Sequence, residues 1–134
     1  MTDDQCPCGS NRKFAQCCNR YISGDKPAPI AEALMRSRYT AYTLGNVDYI
    51  LATWAEEARK AINPADIIKR SKENEYINLK IISKIGGTRK HTQGQVEFAA
   101  SFKSLGKHQT HHEISNFIKQ DEKWYYVDGE VNII

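Results

Sequence analysis

Val96-Glu97-Phe98-Ala99-Ala100-Ser101-Phe102-Lys103 (residues 96–103) sets Val96, Phe98, Ala100 and Phe102 against Glu97, Ser101 and Lys103. A period of two marks a strand with one buried face. Upstream, Ile77, Leu79, Ile81 and Ile85 alternate in the same way, and Gly86-Gly87 closes that strand. Downstream, Gly106-Lys107 reads as a turn into a third strand over 109–120. The polar pair Asp121-Glu122 leads to a fourth strand, Lys123 to Val127, and Asp128-Gly129 reads as the turn that ends it. Short turns between consecutive strands imply an antiparallel meander.

The first half of the chain runs on a helical period. Ile30, Ala33, Leu34, Ala41 and Leu44 share a face of a helix over 30–44, which Gly45 stops. Val47, Ile50, Leu51 and Trp54 fall at i, i+3, i+4 and i+7 of a second helix that starts near Asp48. Asn63-Pro64-Ala65-Asp66 reads as an N-cap with proline at the first helical position. That third helix carries Ile67 and Ile68 and fades near Asn74. Helices first and a meander after them give an α+β fold, with helices packed on one face of an antiparallel sheet.

Ahead of this domain, all 4 cysteines stand between residues 6 and 18, as Cys6-Pro7-Cys8 and Cys17-Cys18. A structural zinc takes four thiolates converging at about 2.3 Å. Pro7 bends the chain between the first pair, and Gly9 accepts backbone angles that turn amides toward sulfur. Ser10 reads as the cap of a short helical turn, Asn11 to Gln16, that delivers Cys17 and Cys18. Arg12, Lys13 and Arg20 would offset the thiolate charge, and Phe14 would cover the site or dock it to the main domain. Residues 19–29 read as a linker, dividing a zinc module (1–24) from the main domain (25–134). Disulfides are the alternative. Bridging neighbours, or cysteines one residue apart, is strained, but cross-pairing the two ends is feasible in an oxidising compartment. The adjacent Cys17-Cys18 also leaves room for a redox or zinc-release sensor.

Cys-Pro-Cys-Gly-Ser, with eight residues to a Cys-Cys pair, resembles the SEC-C motif, a zinc-binding module at the tail of the SecA translocation ATPase and in many small bacterial proteins. The resemblance assigns one structural zinc to Cys6, Cys8, Cys17 and Cys18. The rest of the chain resembles the YchJ family of bacterial proteins. That likeness rests on residues 34–42 (Leu34 to Tyr42), Asp48-Tyr49, Ala52-Thr53-Trp54, Val96-Glu97-Phe98, His112-Glu113 and Trp124 to Gly129. It implies a cone-shaped, nuclear transport factor 2-like domain in which a curved sheet wraps around helices. Such domains often dimerise through the open sheet face, so a homodimer is an expectation. The third strand departs from the family's His-Glu-Arg-Ser-Arg-Phe: Ile114 and Asn116 stand where arginines are usual.

With 134 residues, 40% hydrophobic and 26% charged, the chain suits one globular domain with a small appendage. No apolar run approaches the ~20 residues of a membrane span. Met1 to Gln5 is acidic with no hydrophobic stretch behind it, which does not fit a signal peptide. A cytoplasmic location is expected, where thiols stay reduced. The formal charge of +3 would fall to about +1 with four thiolates around one Zn²⁺, so basicity gives no case for nucleic acid.

Two functional readings follow. A four-thiolate zinc leaves no open coordination position, which favours a non-catalytic interaction or adaptor module. Its partner surface would be Arg12, Lys13 and Phe14, and its partner a protein, export- or ribosome-associated by analogy with the SEC-C motif. The alternative is a small-molecule binder or enzyme using a polar cavity in the cone, with Arg38, Tyr42, His112 and Asp128 as candidates; Arg36, Arg38, Tyr39 and Tyr42 would line its mouth and bind an anionic ligand. Against the cavity, Tyr39 and Tyr42 can be core residues, and Arg36 and Arg38 can pair with Glu32, Asp48 or Asp128. His111 and Glu113 share a strand face with His112 opposite, which suits acid–base work or a plain structural pair. Trp124, Tyr125, Tyr126 and Val127 read as packing on the sheet's two faces.

Overall fold

In the computed structural model, which describes residues 4–133, the chain forms helices α1 (Asn19–Ile22), α2 (Ala31–Leu44), α3 (Val47–Ala52), α4 (Glu56–Arg59) and α5 (Pro64–Glu73). Strands β1 (Asn74–Gly86), β2 (Gln93–Ser104), β3 (Lys107–Gln120) and β4 (Lys123–Ile133) follow, and pair antiparallel in sequence order. The α+β expectation and the meander hold. The helix signals act as read: Gly45 takes φ +70 at the end of α2, and Asn63 Oδ1 accepts from Ala65 N at the start of α5.

Five local expectations change. The stretch read as a linker contains α1, and the turn before Cys17 is a short 3-10 segment, Phe14–Gln16, without a side-chain cap. Leu105 and Gly106, both at positive φ, make the β2–β3 turn, so Lys107 already belongs to β3. In β1 the alternation fails at two bulges, between Tyr76 and Asn78 and between Ile81 and Ser83. Tyr76, Leu79 and Ile81 therefore face the core, while Ile77 and Ile85 are exposed. Finally β4 runs through Asp128-Gly129 to Ile133, with Asn116 opposite Asp128 and Ser115 opposite Gly129. Bulges bend a strand and increase its twist. Those in β1 and the one between β3 and β4 curl the sheet around α2.

Helix α2 is buried on more than the one face its sequence period suggested. Ala31, Leu34, Met35, Arg38, Tyr39 and Ala41 are all buried, whereas Leu44 is exposed. The sheet covers one side of α2 and α3 another, where Tyr49 OH donates to Ser37 Oγ at 2.7 Å. The cysteine segment covers a third. Cys6, Cys8, Cys17 and Cys18 lie in one core with Leu34, Met35, Tyr39, Leu79, Phe117 and Trp124. The N-terminal segment is thus packed into the main domain, not tethered to it.

Candidate functional site

The thiols converge. The Sγ atoms of Cys6, Cys8, Cys17 and Cys18 all lie within 4.8 Å of one another, and each residue is buried. Cys8 and Cys17 Sγ are 3.7 Å apart. That is close to the ~3.8 Å edge of a tetrahedron with Zn–S bonds of about 2.3 Å. No disulfide joins the four. Hydrogen bonding with Cys18, then with Cys6, draws the Cys8 thiol far below its ordinary value. Hydrogen bonding with Cys6, then with Cys8, pushes Cys18 far above. Four buried thiols converging on one point suit a metal ion of Zn²⁺ type.

Local structure shapes this site. Gly9 sits at φ +81, and a Cβ there would lie 3.3 Å from Leu79 O of β1. Only glycine lets the loop both turn and press on the sheet. Ser10 Oγ lies 3.2 Å from Cys17 Sγ, and Arg20 Nε donates to Cys17 O at 3.0 Å. Arg36, not assigned to this site from sequence, donates from Nη1 to Cys8 O at 2.7 Å and from Nε to Glu32. Of the three expected partner-surface residues, Arg12 and Lys13 are exposed, while Phe14 is half-buried against the core.

On the far side of α2 the cone is hollow. A cavity of about 850 Å³ lies between α2, α5 and the concave sheet face. Exposed Asp66, Lys69, Arg70 and Glu73 of α5 stand at its rim, with Val131 and Ile133 of β4. Inside it, the Arg38 guanidinium lies against an edge-to-face pair of rings, Trp54 and Tyr126, 4.7 Å from each centroid. Arg38 Nη1 donates to Ile50 O and to Thr53 Oγ1, both at 2.7 Å. Arg38 is only 6% exposed. Burial lowers its pKa, against the opposing influence of Tyr42, Tyr126, Tyr49 and Glu113. An arginine nonetheless stays charged in a protein interior.

Glu113 is the second buried charge. His111 Nε2 donates to its Oε1 at 2.7 Å, while Ser115 Oγ and Tyr126 OH donate to Oε2 at 2.7 and 2.5 Å. Burial opposes its ionisation, but the bonds from His111, Tyr126 and Ser115 outweigh that and hold the carboxyl below its ordinary value. Gly129 makes room for it: a Cβ there would meet Glu113 Oε2 at 2.0 Å. The glycine read as a turn signal therefore clears space for the carboxylate.

The family model for the YchJ middle NTF2-like domain matches residues 30–129, and the SEC-C motif matches residues 4–20. The chain belongs to the YchJ family. A UPF0225 protein of Chromobacterium violaceum is 44% identical over 131 residues, covering 94% of this chain and 92% of its own length. The solution structure of RPA3114, a SEC-C motif containing protein from Rhodopseudomonas palustris, superposes with a TM-score of 0.86. It is 36% identical, over 93% of this chain and 96% of that one. The crystal structure of a SEC-C motif containing protein from Psychrobacter arcticus gives a TM-score of 0.81 at 28% identity, over 95% and 82% of the two chains.

On this YchJ-family scaffold the four expected cavity residues separate. Arg38 and Tyr42 line the cavity. His112 lies on the outer sheet face, with Nε2 2.7 Å from Glu97 Oε2, and the exposed Asp128 accepts from Asn116 Nδ2. His111 and Glu113 occupy the inner face instead. The register carried that information. Phe98 faces Glu113 and Ala100 faces His111, so the buried stripe of β2 selects the odd-numbered residues of β3. Asp128 was misplaced because a bulge after Asn116 exchanges the two faces of β4. Of the aromatic strand, Trp124 is buried, with Nε1 3.3 Å from Pro29 O, while Tyr126 lines the cavity.

Proposed function

We propose that this protein binds a small molecule in the cone cavity, and that one zinc held by Cys6, Cys8, Cys17 and Cys18 is structural. The cavity carries the reading. Native interiors hold few voids larger than a water, whereas ligand sites run from about 300 to 1,000 Å³. A void of about 850 Å³ lies in the ligand range, and two buried charges stand in or beside it. The zinc would saturate its coordination with the four thiolates and supply cross-linking, not a reactive position. A docking role for the cysteine segment draws on the exposure of Arg12 and Lys13, but has less behind it, since Phe14 packs inward.

The test is uptake of the neutral fluorophore N-phenyl-1-naphthylamine by the zinc-loaded chain. Saturable binding at one per chain is expected, weakened by Ala100→Leu, which adds bulk to the lining. Failure of the wild-type chain to take up the probe contradicts the reading.

A further inference from the structure

Arg38 has an unusual set of partners. Its Nη1 is committed to Ile50 O and Thr53 Oγ1, and the mutually perpendicular rings of Trp54 and Tyr126 pack beside it on one side. Among the described residues, no acceptor meets its Nε or Nη2. No carboxylate forms an ion pair with it there either; Glu113, held by His111, Ser115 and Tyr126, acts on it only at longer range. A buried cation normally has an anionic partner, since an unpaired one is costly. Here the guanidinium edge that best matches a carboxylate is free, at a residue that lines the cavity and is only 6% exposed.

Resting on the cavity reading above, we propose that the ligand is a monocarboxylate with an aromatic or branched apolar body, its carboxylate received by the Nε/Nη2 edge of Arg38. Two observations narrow the class. The second buried charge, Glu113, is negative and fixed, so a dianion such as a phosphate monoester meets repulsion that a single charge meets less. The rest of the lining is largely apolar, with Trp54, Tyr76, Phe98, Phe102 and Phe117 offering ring surfaces. The bonds from Nη1 to the end of α3 fix the guanidinium plane before a ligand arrives, so little side-chain freedom is lost on binding.

The experiment is a titration of the zinc-loaded chain with 2-naphthoate, 2-naphthamide and 2-naphthyl phosphate. The naphthoate should bind at least ten-fold tighter than either of the others. Arg38→Lys keeps the charge but loses the planar fork, and should weaken the naphthoate at least ten-fold; the wild-type series decides the matter if that variant does not fold. A naphthoate no tighter than the amide overturns the inference while leaving the cavity reading standing on uptake of N-phenyl-1-naphthylamine. A phosphate that binds tightest overturns the single-charge argument. Failure of the fluorophore and all three naphthalenes defeats both proposals together.

Discussion

At Glu113 a carboxylate stays ionised in the interior because three side-chain donors converge on it. Its folded pKa lies below the ordinary 4.5, so the stability it contributes is complete above that value and is lost as pH falls through the folded one. Glu113→Gln should cost about 2–3 kcal/mol at pH 7, since hydrogen bonds to a charged group are the strong ones. The gap from wild type should narrow as pH falls from 4.5 through the folded value, below which both lack the charge. Thermal unfolding at pH 7 and pH 3 measures this, and a gap independent of pH counts against it. Gly129→Ala tests the same group from across the strand pair. A Cβ 2.0 Å from Oε2 must displace the carboxylate, with an expected loss of about 1–3 kcal/mol by chemical denaturation. At this scale the cysteine cluster was readable, because four thiols in a short segment have few other uses. His111 and Glu113 were half readable. Their shared face was visible, but which face lay inward depended on the register with β2, and the role of Gly129 on a side chain sixteen residues away.

Among the elements, α2 joins the two sites. Its Thr40 Oγ1 lies 3.8 Å from Cys6 Sγ, its Arg36 holds Cys8 O, and its Arg38 faces the cavity. Removing the metal should therefore be felt well beyond the cysteines. Chelation, or Cys17→Ser, is expected to cost about 3 kcal/mol, roughly 10 °C in Tm, and to raise amide hydrogen exchange in α2. Unchanged protection of α2 after zinc loss would show the two parts to be independent. The element order was legible because caps and periods are local: Gly45 ends a helix through its backbone angles and Asn63 begins one through its side chain. The faces of β1 and β4 were not. A bulge adds one residue to one strand of a pair and reverses the alternation beyond it, and nothing in Ile77 or Val127 announces that. The burial of the cysteine segment was equally hidden, since it depends on the shape of the hollow between α2 and β1.

For the whole molecule, a sheet curled by bulges leaves a hollow that its aromatic residues line without filling. Trp54 and Trp124 mark the difference, since Trp54 lines the cavity while Trp124 is buried away from it. Among the described residues no helix is long and apolar enough to cross a membrane. The most direct measurement follows the side-chain N–H resonances of Arg38 Nε, Trp54 Nε1 and Trp124 Nε1 in the zinc-loaded chain as 2-naphthoate is added. The Arg38 and Trp54 signals should move together and saturate at one ligand per chain, while Trp124 stays still. Saturation with Arg38 and Trp54 unmoved, or no saturation at all, would contradict the account.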